Sequence, residues 1–227
     1  MELPNYQSLK MTSTEKGALK ELTDLVEKLR ADKEIKVVVF NRRGAWGVGA
    51  EFISALDMWF ATRTDTLIRQ VDITNGLIPS AGGTLFLELL SINQQLCLFL
   101  TKLIGRARAM EYILTGKDIT AFEAERIGWI DKSFETKAKL YSHIDRLTSR
   151  MRLFPFTALQ AAKKSICLAS NTSFDDVYAE ATAFYKQTED PDTKKAVVSS
   201  FNMLATMPPL DAELTLPDLA PRFYEQD

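Results

Sequence analysis

The chain has 227 residues, 46% of them apolar, with 28 basic and 30 acidic side chains and a formal net charge of -2. That is enough for one large domain, or a domain with a helical extension, around a sizeable core. The near-cancelling charge argues against nucleic acid as the main partner, because phosphate binding needs a concentrated basic surface. A single histidine, His143, excludes multi-histidine metal sites and reads as a solvated helix residue. Two distant cysteines, Cys97 and Cys167, read as buried free thiols of a reducing compartment. No apolar run approaches the ~20 residues that cross a bilayer. The N-terminus lacks a signal pattern, and Glu225-Gln226-Asp227 is not a retention or peroxisomal tripeptide. The expectation is a soluble intracellular protein of the cytoplasm, with peroxisome or mitochondrion also allowed.

In chain order, residues 1–11 read as an irregular or strand-like lead. Thr12-Ser13-Thr14-Glu15 has capping-box spacing and opens an amphipathic helix with Leu19, Leu22, Leu25, Val26 and Leu29 on one face. Lys36-Val37-Val38-Val39-Phe40 predicts a strand buried on both faces. The glycine-rich turn Gly44-Ala45-Trp46-Gly47-Val48-Gly49 runs into a short helix over 50–56, and 57–61 predicts a further strand. Residues 62–80 read as short strands and turns ending at Ile78-Pro79. Beyond them the periodicity predicts helices over 82–90, 92–104, 107–115, 120–126, 137–151, 157–169, 173–188 and 191–204, punctuated by Gly105, Gly116 and Gly128. The proline-bearing tail from Met207 predicts an extended segment. An α/β core followed by a helical C-terminal region results.

Two segments carry the chemistry. Gly47-Val48-Gly49-Ala50-Glu51-Phe52 lacks the third glycine of a dinucleotide fingerprint and the Gly-Lys-Ser/Thr of a P-loop, so a nucleotide module is the weakest reading. A glycine turn entering a helix can instead aim backbone N–H groups at a developing oxyanion. Alone, it is equally a tight strand-to-helix turn. The second segment, Val71-Asp72-Ile73-Thr74-Asn75-Gly76-Leu77-Ile78-Pro79-Ser80-Ala81-Gly82-Gly83-Thr84, puts a carboxylate in a fairly apolar stretch before a shaped turn.

Together these segments resemble the central signature of the enoyl-CoA hydratase/isomerase (crotonase) superfamily. Leu114-Thr115-Gly116 and Ala121-Phe122-Glu123-Ala124-Glu125-Arg126-Ile127-Gly128 match its Leu-Thr-Gly and Ala-x-x-Ala-x-x-x-Gly elements. The resemblance implies a crotonase-like ββα-spiral core, here incomplete, over 1–135 and a helical region with an extended tail over 136–227. It implies an acyl-CoA thioester as substrate, no permanently bound cofactor and no metal. Glu51 and Asp72 match the two acid/base carboxylates, and the Val48 N–H matches one oxyanion donor. Gly47, Gly49, Gly76 and Pro79 fall in the substrate-binding segments. Arg42, Arg43, Lys163 and Lys164 are weaker candidates for the CoA phosphates, and most of them read as solvated surface charges. The family commonly forms trimers or hexamers through helices like those predicted here. Homo-oligomers, or assembly with full-length homologues, are the expected partners, although core is the better expectation for any one apolar residue of 157–169 and 173–188.

The sequence departs from the family pattern in three places. Asp72 stands where hydratases have glutamate, and Val48 replaces the usual glycine. Only Asn41-Arg42-Arg43 separate Phe40 from Gly44, too few for a parallel crossover. The loop that supplies the second oxyanion donor is expected to be missing, as is part of the opening strand hairpin near residues 12–20. Two readings follow: an acyl-CoA hydratase or double-bond isomerase of fatty-acid-like or specialised metabolism, or a non-catalytic relative acting through assembly.

Overall fold

The computed structural model describes residues 24–25, 27–29, 31–32, 34–39, 45–46, 50, 53, 56–64, 66–79, 96–170, 173–208, 215–216 and 218–224. Glu51, Val48, Gly47, Gly49, Arg42 and Arg43 lie outside the described residues, as do the capping box at 12–15, the helix expected over 82–90 and both inferred gaps. The chain divides into two units, Met1–Val38 and Val39–Asp227.

In the first unit, helical residues between Asp24 and Ala31 stop at Asp32. Its Oδ1 accepts the N–H groups of Glu34 at 2.7 Å and Ile35 at 3.0 Å, turning the chain out of the helix. The strand expected over 36–40 is not found among the described residues: 35–39 are irregular, and Val38 and Val39 are 43% exposed. A β-branched run becomes a strand only where a neighbour completes its ladder, and none of the ladders includes Val37–Val39.

The second unit holds short strands and long helices. Strands β1 (Ala45–Trp46), β3 (Leu67–Arg69) and β4 (Ile119–Thr120) form one sheet in the order β1-β3-β4. β1 runs parallel to β3 with Ala45 opposite Ile68, and β4 runs antiparallel with Ile119 opposite Ile68. A second ladder pairs β2 (Phe60–Thr62) in parallel with β5 (Lys132–Phe134). The strand expected over 57–61 therefore starts three residues later. Asp131 sets that start: its Oδ2 accepts the Trp59 N–H at 2.6 Å, and its own N–H donates to Trp59 O.

Helices α1 (Leu96–Ile104), α2 (Arg106–Thr115), α3 (Ala121–Ile127), α4 (Lys137–Arg152), α5 (Phe156–Ser170), α6 (Phe174–Thr188) and α7 (Pro191–Leu204) follow; α2 to α7 lie within a residue or so of their predicted bounds, and α1 ends where predicted, residues 92–95 lying outside the described residues. Their caps are local and visible in the sequence. Thr120, Thr136, Ser173 and Asp190 each accept an N–H of the first turn; at α3 the donor is Glu123, whose own carboxylate pairs with Arg126.

The main core gathers Trp59, Ile68, Leu100, Tyr112, Ile119 and Trp129 with neighbours from α1 to α3. Ala121 and Ala124 are fully buried, so the alanine spacing of the matched element is what lets α3 lie against the sheet. A second cluster joins Ala196 of α7 to Leu216 and Phe223, with Val71 packed against it. The described part of the tail is therefore not extended: residues 215–216 and 218–219 are helical and Ala220–Phe223 form a 3₁₀ turn, because Leu216 and Phe223 have an apolar partner in α7.

Three side-chain expectations also change. His143 is half-buried between Phe60 and Phe134, its ring 5.1 Å and 5.0 Å from theirs, and burial lowers its pKa. Cys97 and Cys167 are half-buried rather than buried, and neither is in a disulfide. Several apolar residues of α5 and α6 are not core: Ile166 is 69% exposed, and Leu168, Tyr178 and Tyr185 are exposed too, whereas Ala181 is buried. Amphipathic helices at the end of a chain find core only if another layer covers them. Among the described residues, no helix is long and apolar enough to cross a membrane.

Candidate active site

Strand β3 delivers Asp72 into a 3₁₀ turn, Asp72–Asn75. The turn closes on itself: Thr74 N–H and its Oγ1 donate to Val71 O, Gly76 N–H donates to Ile73 O, and Leu77 N–H donates to Asp72 O, all within 3.0 Å. Gly76 ends it at φ +75°, a left-handed conformation that costs glycine nothing. A Cβ there would also stand 2.8 Å from Thr193 Oγ1. The leading residues of the matched segment thus fold as the shaped turn their glycine and proline suggest, and Pro79 is buried at its far end.

Asp72 sits in this turn with its carboxyl largely out of water. Burial pushes its pKa from 3.8 up to about 6, partly offset by its own backbone N–H. Its partner is Gln70, fully buried, whose Nε2–H donates to Asp72 Oδ2 at 3.2 Å. Gln70 Oε1 is buried with no hydrogen-bond partner among the described residues. One residue earlier, Arg69 is 1% exposed and forks onto Asp118, Nη2 to Oδ2 at 2.6 Å, with Nε paired to Oδ1. The guanidinium charge is thereby matched by its own carboxylate, and burial dominates at Asp72.

The other matched elements pack onto the same turn. Gly116 of Leu114-Thr115-Gly116 ends α2 at φ +58°, and a Cβ there would lie 2.9 Å from Thr74 Cγ2 and 3.2 Å from Ile73 Cγ2. The missing side chain lets α2 close over the Asp72 turn. Lys163 pairs with Asp57 at 2.7 Å across an exposed surface, the solvated role expected of most of the basic candidates. A charged surface concavity of about 450 Å³ between α2 and α3 is lined by Arg108, Glu111, Lys117, Asp118, Glu123 and Arg126 among others. Lys117 pairs with Glu111 and Arg126 with Glu123, so that concavity is an ion-pair surface.

Sequence reasoning missed one buried acid. Glu180 of α6 has both carboxylate oxygens enclosed, and burial pushes its pKa from 4.5 to about 7. The Cys97 thiol and the N–H groups of Cys97 and Leu98 at the start of α1 hold it down somewhat, although neither oxygen completes a geometrically sound hydrogen bond. A signal existed: Glu180 is four residues before Phe184 and seven before Gln187, on one inward stripe of α6. Its folded pKa lies above its unfolded value, so the protein is most stable below about pH 4.5 with respect to this group and loses that stability as pH rises toward 7. Glu180→Gln is expected to raise the melting temperature by several degrees at pH 8, recovering on the order of 3 kcal/mol, and to leave it unchanged at pH 4.5. Thermal melts of both proteins at the two pH values check this.

Among the described residues no cluster of three or more His, Cys, Asp or Glu side chains is placed to hold a metal.

Comparison with known proteins agrees with this arrangement. Residues 42–202 match the family model for enoyl-CoA hydratase/isomerase. A short-chain-enoyl-CoA hydratase of Clostridioides difficile is 29% identical over 165 residues, 72% of this chain and 97% of that one. An enoyl-CoA isomerase/hydratase of Mycosarcoma maydis is 30% identical over 155 residues, 67% of this chain but only 49% of its relative. The chain likewise spans about half the length of relatives from Rhizobium meliloti and Dictyostelium discoideum, at 48% and 45%. Among solved structures, one from Streptomyces avermitilis described as an enoyl-CoA hydratase superposes with a TM-score of 0.75 at 24% identity, covering 93% of this chain and 88% of that one. An enoyl-CoA hydratase from Mycobacterium avium subsp. paratuberculosis superposes at 0.60 and 21% identity, covering 80% and 69%. At these identities the structures speak for the fold, while the matched family model spans the Asp72 turn, the Gly116 closure and the buried alanines of α3. The chain belongs to the enoyl-CoA hydratase/isomerase family, within the crotonase superfamily.

Proposed function

We propose that the chain acts on an acyl-CoA thioester as a hydratase or double-bond isomerase, with Glu51 and Asp72 as its acid/base carboxylates. The observation that carries this reading is the pKa of Asp72, raised by burial to about 6 within the matched turn. A carboxyl poised near neutral pH can both give and take a proton, which an acid/base group must do in each cycle. The Val48 N–H serves as an oxyanion donor for the thioester carbonyl, and Gly47, Gly49, Gly76 and Pro79 shape the backbone around the substrate. In hydration, one carboxylate takes a proton from water as its oxygen bonds to C3. The C2=C3 electron pair moves into the enolate, whose oxygen is held by backbone N–H groups, and the other carboxyl then protonates C2. In isomerisation, a carboxylate takes a proton from C2 of a 3-enoyl thioester, the resulting dienolate is held by the same backbone N–H groups, and the proton is returned at C4. The chain needs no permanently bound cofactor or metal for either route.

In the same reading, 1–135 is the catalytic region and 136–227 the assembly region of a homotrimer or hexamer, supported by exposed Ile166, Leu168 and, on α7, Phe201 at 72% exposure. One observation favours a second reading. Val37–Val39 lie outside every ladder among the described residues, just before the short 41–43 connection, as in a relative that kept assembly and lost catalysis. The test is spectrophotometric hydration of short enoyl-CoA substrates by the chain and by Glu51→Gln. The expected outcome is a loss of about 10²- to 10⁴-fold in the variant. Equal rates overturn the role of Glu51, and no turnover at any chain length, despite a cooperative melt, favours the second reading.

A further inference from the structure

Besides its own backbone hydrogen bonds, the turn that carries Asp72 is reached by three side chains from the last fifty residues. Tyr224 Oη donates to Thr74 O at 3.1 Å across 150 residues of sequence. Thr193, in the first turn of α7, donates from Oγ1 to Gly76 O at 3.1 Å and fills the space where Gly76 lacks a Cβ. Gln187 of α6 accepts the Ile78 N–H on Oε1 at 2.7 Å. Thr193 is itself fixed, because Asp190 Oδ1 accepts its N–H at 3.0 Å. Beneath Tyr224, Phe223 is buried in the cluster that also packs Val71, the residue before Asp72.

We propose that Tyr224 is a positioning residue: through Thr74 O it fixes the 3₁₀ turn that aims the Asp72 carboxyl. This rests on the acid/base role given to Asp72 above. Tyr224 is 47% exposed, its hydroxyl is nonetheless engaged with Thr74 O, and partial burial raises the tyrosine pKa. A tyrosine serving only to cover apolar surface has no need to deliver its hydroxyl to the one turn carrying a buried carboxyl. Thr74 O and Gly76 O are the two turn carbonyls that take a side-chain donor from the C-terminal region. Held at both, the turn cannot rotate Asp72 relative to β3. Acid/base catalysis is steep in this geometry, since a displacement near an ångström costs up to about 10²-fold in rate.

The experiment compares Tyr224→Phe, Thr193→Val and Asp72→Asn with the unaltered full chain. Tyr224→Phe keeps the ring and removes the hydroxyl. It is expected to lower kcat about tenfold with KM within about twofold, and to move the acid limb of the pH–rate profile. Amide exchange at Gly76 and Leu77 should speed up at least about tenfold while exchange in α4 is unchanged. Thr193→Val should act in the same direction and keeps the test open if one variant melts early. Turnover abolished by Asp72→Asn but untouched by Tyr224→Phe and Thr193→Val overturns this proposal alone. Turnover indifferent to Asp72→Asn, or absent from the unaltered chain, overturns the acid/base reading and this proposal with it. A fall in kcat with unchanged exchange at Gly76 and Leu77 and an unmoved acid limb also overturns it, because the hydroxyl would then act elsewhere.

Discussion

Replacing Asp72 by asparagine is expected to lower turnover of a short enoyl-CoA by about 10²- to 10⁴-fold while making the protein more stable at pH 8. The two effects share one cause. Burial raises the folded-state pKa of Asp72 from 3.8 to about 6, so ionising it in the folded protein is unfavourable. For this group the folded state binds the proton more tightly than the unfolded chain does. Stability is therefore full below about pH 4, falls as pH rises, and is lowest above about pH 6. The penalty at pH 8 is on the order of 3 kcal/mol. An asparagine cannot ionise and keeps a side-chain oxygen for the Gln70 Nε2–H, so it removes the penalty without breaking the turn. Melts at pH 8 and pH 4 should separate the variant from the parent only at the higher pH. A purely structural aspartate would show the stability change with no loss of turnover, and a solvated one would show neither.

That opposition between stability and activity is what a functional site built from a buried carboxyl should display. A cap would be better served by an exposed, ionised aspartate accepting N–H groups of the turn. Here the side-chain contact that is seen is the amide of Gln70, and the turn closes through its own backbone and the Thr74 hydroxyl.

Much of this was legible in the sequence, and the reasons are local. The bounds of α2 to α7 follow from apolar spacing and from caps within four residues, such as Thr120 with Glu123 and Asp190 with Thr193. The turn at Gly76 follows from glycine and proline spacing. Contacts between distant segments were not legible. Val37–Val39 have every local mark of a strand, but a ladder requires a second segment that composition does not reveal. The tail from Met207 looks extended because its prolines interrupt any periodicity, whereas Leu216 and Phe223 are ordered by Ala196 on α7. Tyr224 has no local signal at all, since its partner Thr74 is 150 residues away. Glu180 left only a faint one, as an acid on a stripe otherwise turned inward.

The ion pair behind the site gives the other large expected effect. Asp118→Ala should cost about 3 kcal/mol in urea unfolding at pH 7, because it leaves the guanidinium of Arg69 buried without its carboxylate. The estimate stands at the low end for such pairs, since Asp118 is partly exposed and water can enter beside it. Arg69→Met with Asp118→Ala should recover most of the loss, as the charge that needs compensation is then gone. A single-variant effect within about 0.5 kcal/mol would place the pair with ordinary surface bridges. The pair also bears on the chemistry. Arg69 ends β3 three residues before Asp72, and Asp118 follows Leu114-Thr115-Gly116 on the way to β4, so the fork ties the element that closes over the turn to the strand that delivers it.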